Sequence, residues 1–96
     1  MRLSQQQIQI IKDYFADKPV EHIYLFGSYA RGDANANSDI DLAFTMKEGT
    51  RISYFGLAQY LVDLEGLLRK KIDMVEKDFL YPRIKKSFEM EKEILF

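Results

Sequence analysis

A chain of 96 residues with a net charge of −1, 47% hydrophobic and 30% charged, has the size and make-up of one soluble globular domain spanning residues 1–96. The absence of cysteine excludes a disulfide scaffold and a thiolate metal site and fits a reducing compartment, no apolar run approaches a membrane span, and seven Phe and six Tyr give too much to bury for a disordered chain. Near-neutral charge supplies no general pull toward nucleic acid, and the N-terminal residues lack the apolar stretch of a signal peptide, so a cytoplasmic protein is expected.

Residues 4–17 read as a helix. Ser4 suits the N-cap with Gln7 at the capping-box position, and Ile8, Ile11 and Phe15 form an apolar stripe with Ile10 and Tyr14 beside it. Lys18-Pro19 ends it. Val20 to Phe26, rich in β-branched and aromatic residues, reads as a buried strand running into Gly27. A short turn or helix follows at Ser28–Arg31, then a loop over Gly32–Ser38. Asp39 to Thr45 alternates, with Ile40, Leu42 and Phe44 on one face and Asp39, Asp41 and Ala43 on the other. Residues 51–68 read as a long helix whose stripe is Ile52, Phe55, Ala58, Leu61, Leu64 and Leu68. Lys71–Glu76 is a third strand, with Ile72 and Met74 opposite Asp73 and Val75. Pro82 suits the first turn of a last helix reaching about Met90, and Ile94-Leu95-Phe96 either adds a short edge strand or docks. The expected order is α-β-α-β-α-β-α: an α/β (α+β) fold, a small mixed sheet with helices packed against it.

The chemistry concentrates in residues 27–41. Asp39 and Asp41 lie two apart on a strand, so both carboxylates project from one face with Cα atoms roughly 7 Å apart. Adjacent like charges need a neutralising cation, and oxygen donors without Cys or clustered His favour a hard ion such as Mg²⁺. Asp73 joins them if its strand lies beside the first. Three such acids could hold two Mg²⁺ ions about 3.5–4 Å apart, the arrangement that clamps both oxygens of an in-line displacement at phosphorus. Gly27 lets a ligand approach the backbone, Ser28 and the N–H groups after it can cradle a phosphate, and Arg31 adds a charge-assisted contact. Together they describe a nucleoside triphosphate bound through Mg²⁺.

Each piece alone has a plainer explanation: a solvated strand face, an ordinary turn, a helix-capping arginine. The combination Gly-Ser-x10-Asp-x-Asp arises by chance on the order of once in a thousand chains of this length, which decides for chemistry. Gly27-Ser28-x10-Asp39-x-Asp41, with Asp73 on a later strand, resembles the signature of the polymerase-β-like nucleotidyltransferase superfamily. The short length and the wording Gly-Ser-Tyr-Ala-Arg-Gly and Ser-Asp-Ile-Asp-Leu-Ala resemble the minimal nucleotidyltransferases in particular. That resemblance implies transfer of AMP from ATP to an acceptor hydroxyl. Asp39 and Asp41 would ligate Mg²⁺, Asp73 would complete the site and help activate the hydroxyl, and Gly27 and Ser28 would hold the triphosphate. It also implies an antitoxin that silences a cognate HEPN-domain ribonuclease toxin by placing AMP on a tyrosine. Two alternatives stand beside it: neutralisation of the toxin by binding alone, and transfer to a small-molecule hydroxyl.

Asp33-x-Asn35-x-Asn37 begins like an EF-hand calcium loop but then fails, with Ser38 where Gly is needed and Phe44 where the bidentate Glu belongs. Gly27 opens neither a Rossmann nor a Walker loop. His22, the single histidine, is expected to pack rather than react. Most of Tyr24, Phe26, Tyr54, Phe55, Tyr60, Phe79, Tyr81 and Phe88 are expected in the core. The basic clusters Arg69-Lys70-Lys71 and Arg83, Lys85, Lys86 read as solvated helix ends, with triphosphate steering or contact with RNA or an acidic partner as the alternatives.

Overall fold

Ser4 opens α1 (Gln5–Phe15) with the predicted capping box. Its hydroxyl accepts from the Gln7 N–H at 3.0 Å, and the Gln7 side chain accepts from the Ser4 N–H at 2.8 Å. In the computed structural model, which describes residues 1–96, the chain continues through β1 (Val20–Phe26), α2 (Ser28–Arg31), β2 (Ile40–Met46), α3 (Tyr54–Leu68) and β3 (Ile72–Glu76). A 3₁₀ turn (Lys77–Phe79), α4 (Pro82–Glu91) and β4 (Glu93–Ile94) complete it. No helix is long and apolar enough to cross a membrane.

The four strands form one mixed sheet in the order β3-β2-β1-β4. β1 runs antiparallel to β2 and β4, whereas β2 and β3 are parallel, joined by α3. Strand alternation gives the sheet two different faces. On one, Ile23, Leu25, Ile40, Leu42, Phe44, Ile72 and Met74 pack with Ile11 and Phe15 of α1 and Tyr60, Leu64 and Leu68 of α3. On the other, Ala43 is fully buried beneath Leu80 and Phe88, with Tyr24, Phe26 and Val75 around them. The Phe88 ring meets Phe26 and Tyr24 edge-on, with centroids 5.4 and 5.8 Å away, and so fixes α4 over β1.

Several boundaries and faces depart from expectation. α1 and α3 are each shorter than predicted; Ser53 caps α3, its hydroxyl accepting from Gly56 at 3.0 Å. The buried stripe of α3 is Tyr60, Leu64 and Leu68 with Leu57 and Leu61 beside it, whereas Phe55 is 85% exposed and Ala58 faces solvent. At about 100° per residue, Phe55 and Leu64 lie nine residues and roughly 900° apart, on opposite sides of the helix, so one stripe cannot hold both. Of the eight aromatics expected mostly in the core, Tyr60 and Phe88 are buried and Tyr24 and Phe26 half-buried. Tyr54, Phe55, Phe79 and Tyr81 are exposed. At the C-terminus both expectations hold in part: β4 is a two-residue edge strand, and Leu95 and Phe96 then dock on Ile23 through backbone hydrogen bonds of 2.8 and 3.4 Å. His22 assists, its Nδ1 3.2 Å from the Phe96 carbonyl oxygen.

Phe88 is 1% exposed and is the main apolar anchor of α4. Phe88→Ala is expected to cost about 3–5 kcal/mol in urea unfolding, as for other large-to-small core changes. A loss below 1 kcal/mol, on the order of a surface change, would show that α4 is held by something else.

Candidate active site

Cross-strand register builds the site. Phe26, Asp41 and Asp73 are Cα partners across β1, β2 and β3, so Asp41 and Asp73 lie side by side on adjacent strands about 4.8 Å apart. The next row along is Tyr24, Ala43 and Val75, the row that α4 covers. The acids therefore stand where this face emerges from beneath the helix. Asp39 sits one residue before β2, exposed, and two residues from Asp41. Asp41 is half-buried.

Gly27 closes the other side of Asp41. Its backbone lies at φ 73°, ψ −154°, a region essentially restricted to glycine. A Cβ there would collide with Asp41 Oδ2 and sit 3.2 Å from its Cγ. The glycine of the Gly-Ser pair is thus required twice, by its dihedrals and by the carboxylate pressed against it. Ser28 then starts α2, and its carbonyl accepts from the N–H groups of Gly32 (2.9 Å) and Asp33 (3.1 Å). Arg2 secures the far end of α2, donating to the carbonyls of Ala30 (2.8 Å) and Arg31 (3.4 Å), where cations suit a helix C-terminus.

Arg31 lies close enough to Asp41 to favour its charged form, but its own ion pairs are with Asp33 (3.0 Å) and Glu91 (3.1 Å). The loop between α2 and β2 is held by its own side chains and by groups from outside it. Asn37 N–H donates to Asn35 Oδ1 at 2.8 Å, Asn35 N–H donates to Ser38 Oγ at 2.9 Å, and Lys70 Nζ donates to Ala36 O at 3.1 Å. Its Asx side chain is spent on its own backbone, which accounts for the calcium-like spelling.

Burial, then repulsion from Asp73 and Asp39, push the Asp41 carboxyl up from 3.8 to about 6, with Arg31 opposing. Burial and neighbouring like charges both disfavour the charged form of a carboxyl. The donors are all oxygen, which fits a hard divalent ion. They form a row rather than a closed cage, since no three His, Cys, Asp or Glu side chains converge on one point. Mg²⁺ is ordinarily held by one or two carboxylates plus substrate phosphates, so a row suits it. The largest depression, about 860 Å³, lies elsewhere, lined by residues 44–54 and by Asp78 and Phe79, and contains none of these acids. Chemistry and not size marks the site. A smaller cleft at the Gly27 end includes Arg31 and Glu91 and is walled by α4, whose part in the site the Gly-Ser and Asp-x-Asp spacing did not signal.

The family model described as Nucleotidyltransferase domain matches residues 5–95. The protein adenylyltransferase MntA of Thermococcus cleftensis is 36% identical over 69 residues, covering 71% of this chain and 67% of that one. A Methanocaldococcus jannaschii protein, named provisionally as a protein adenylyltransferase, is 37% identical over 82 residues, covering 84% and 79%. A solved structure described provisionally as a minimal nucleotidyltransferase superposes with TM-score 0.76 at 29% identity, covering 93% of this chain and 89% of that one. A chain of a toxin–antitoxin crystallised with AMP-PNP also superposes with TM-score 0.76, covering 98% and 73%, and at 22% identity that likeness speaks for the fold.

Gly27→Ala is expected to lose about 1–3 kcal/mol from the backbone alone and more from the displaced carboxylate. Asp41→Ala in the same chain removes the collision, so unfolding of the double variant should show less than the sum of the single losses. Strict additivity would mean that Asp41 does not press on Gly27. The raised Asp41 value also has a sign in stability. The folded chain holds this proton more tightly than the unfolded one, so stability falls as pH rises from about 4 to about 6, and the deficit persists above. Asp41→Asn should therefore gain about 1–2 kcal/mol at neutral pH, discounted for a half-exposed carboxylate, and nothing below about pH 3.5. Denaturant unfolding at the two pH values measures it, and an equal effect at both would contradict the crowding.

Proposed function

Because the chain belongs to the nucleotidyltransferase domain family, we infer that it is a protein adenylyltransferase acting as an antitoxin: it transfers AMP from ATP to a hydroxyl, a tyrosine hydroxyl, of a cognate HEPN ribonuclease toxin and so neutralises it. The observation that carries this is the Asp41–Asp73 pair in register, with Asp39 beside it and Gly27 against Asp41. Relatives named as protein adenylyltransferases supply the donor and the acceptor class, and the likeness to a toxin–antitoxin chain crystallised with AMP-PNP accords with it. Exposed Tyr54, Phe55, Phe79 and Tyr81 give the chain apolar surface of the kind that protein partners cover.

Asp39, Asp41 and Asp73 are the residues that would hold Mg²⁺. When bound, the ion neutralises charge on the reacting phosphate and on the departing pyrophosphate. The open backbone at Gly27 and the Ser28 hydroxyl receive the phosphate chain, and Arg31 lends positive charge beside it. The acceptor oxygen attacks the α-phosphorus, the bond from that phosphorus to the β-bridging oxygen breaks, and pyrophosphate leaves. The hydroxyl proton passes to a carboxylate, for which Asp73, exposed at the sheet edge, is the accessible base.

The test uses ATP labelled at either the α- or the γ-phosphate, Mg²⁺ and the partner protein that copurifies with the chain. The α-label should enter the partner and the γ-label should not, and Asp41→Asn should lower labelling by about a hundredfold or more, the order lost when a group stabilising the transition state is removed. Equal labelling by wild type and Asp41→Asn would end the catalytic reading.

A further inference from the structure

Helix α4 gives the Gly27 end of the sheet a second wall. A cleft of about 360 Å³ runs between them, with Phe26, Gly27 and Arg31 on one side and Arg83, Ser87 and Glu91 on the other. Two guanidinium groups and one carboxylate line it, so its charge is positive. They are not equivalent. Arg31 already has Asp33 at 3.0 Å and Glu91 at 3.1 Å. The chain's other ion pairs are Lys18–Asp17 and Lys92–Glu89, and Arg83 takes part in none of the four. Ser87, four residues on, is its neighbour on the same helix face. A free guanidinium beside a hydroxyl matches an anion with several oxygens, because the planar fork can engage two of them at once.

The position of the cleft says which anion. Gly27 belongs both to the cleft and to the contact with Asp41, so the cleft begins where the acid row ends. A nucleotide whose α-phosphate lies at the acids has its remaining phosphates at hand for this cleft. The wall is also held in register, since Phe88, one residue beyond Ser87, is wedged edge-on against Phe26 and Tyr24.

We propose that Arg83, with Ser87 beside it, binds the terminal phosphates of the nucleoside triphosphate across the cleft from Gly27. This rests on the nucleotidyltransferase reading above and adds to it a binding residue from α4. It also separates Arg83 from its neighbours in sequence, because Lys85 and Lys86 are exposed on α4 and do not line the cleft.

The experiment is calorimetric titration of the purified full chain with AMP-PNP and, separately, with AMP, both in Mg²⁺. Arg83 is exposed and unpaired, so Arg83→Ala should fold, and a thermal melt checks that it does. Arg83→Ala is expected to weaken AMP-PNP about tenfold or more, as loss of a charge-assisted hydrogen bond does, and to leave AMP unchanged. Arg83→Lys should recover part of the loss. Lys85→Ala, which removes the same charge from the same helix outside the cleft, should bind as wild type does. Unchanged AMP-PNP binding by Arg83→Ala would overturn the proposal, as would equal weakening of both nucleotides or an equal effect of Lys85→Ala. A wild-type chain that binds neither nucleotide would overturn the nucleotidyltransferase reading as well, which keeps the two failures apart.

Discussion

Asp41 is held between a glycine backbone and a second carboxylate, and much of the molecule is arranged round that one contact. On the β1 side only a residue without Cβ leaves room for Oδ2, and only glycine adopts φ 73°, ψ −154° readily. On the β3 side the parallel register sets Asp73 directly alongside. Burial and two like charges raise the proton affinity of Asp41, and those same circumstances make a bound cation favourable. The arrangement costs stability and is tolerated because β2 brings Ile40, Leu42 and Phe44, all fully buried, to the opposite face. One strand supplies both the core and the carboxylate because its side chains alternate.

The second face of the sheet is part covered and part open. Leu80 and Phe88 cover Ala43, whereas Asp41 is half-buried and Asp73 exposed. A small residue at position 43 lets the helix side chains approach; two residues earlier the same face becomes polar and open. The cleft at Gly27 is the seam left between that helix and the end of β1. The Arg31–Glu91 ion pair spans the seam, linking α2 to α4 on the surface, where such a pair adds little to stability but orients both side chains.

Local rules served well wherever a single element decided the outcome. The Ser4–Gln7 capping box, the Pro82 helix start and the alternation through residues 40–44 are each settled by neighbours a few residues away. The stripe on α3 went astray at Phe55 and Ala58, whose three-residue step drifts round the helix; the sheet took Leu57 and Tyr60 in their place and kept Leu61, Leu64 and Leu68, while Ile52 packs on the core from just ahead of the helix. Exposure of Tyr54, Phe55, Phe79 and Tyr81 was not legible either. An aromatic residue carries the same apolar area whether a helix turns it in or out, and only the packing of whole elements settles which.

From the sequence by itself came the alternation that sets Asp39 and Asp41 toward one face, the Gly-Ser pair ahead of them, and the order of helices and strands, since each depends on chain geometry over a few residues. Tertiary structure alone decided that Asp73 stands beside Asp41, that Gly27 must lack a side chain because a carboxylate fills its place, and that Arg31 and Arg83 share a cleft while only Arg83 is unpaired. Those facts depend on strand register and on how α4 crosses the sheet. Both bring together residues tens of positions apart, and no local periodicity encodes that distance.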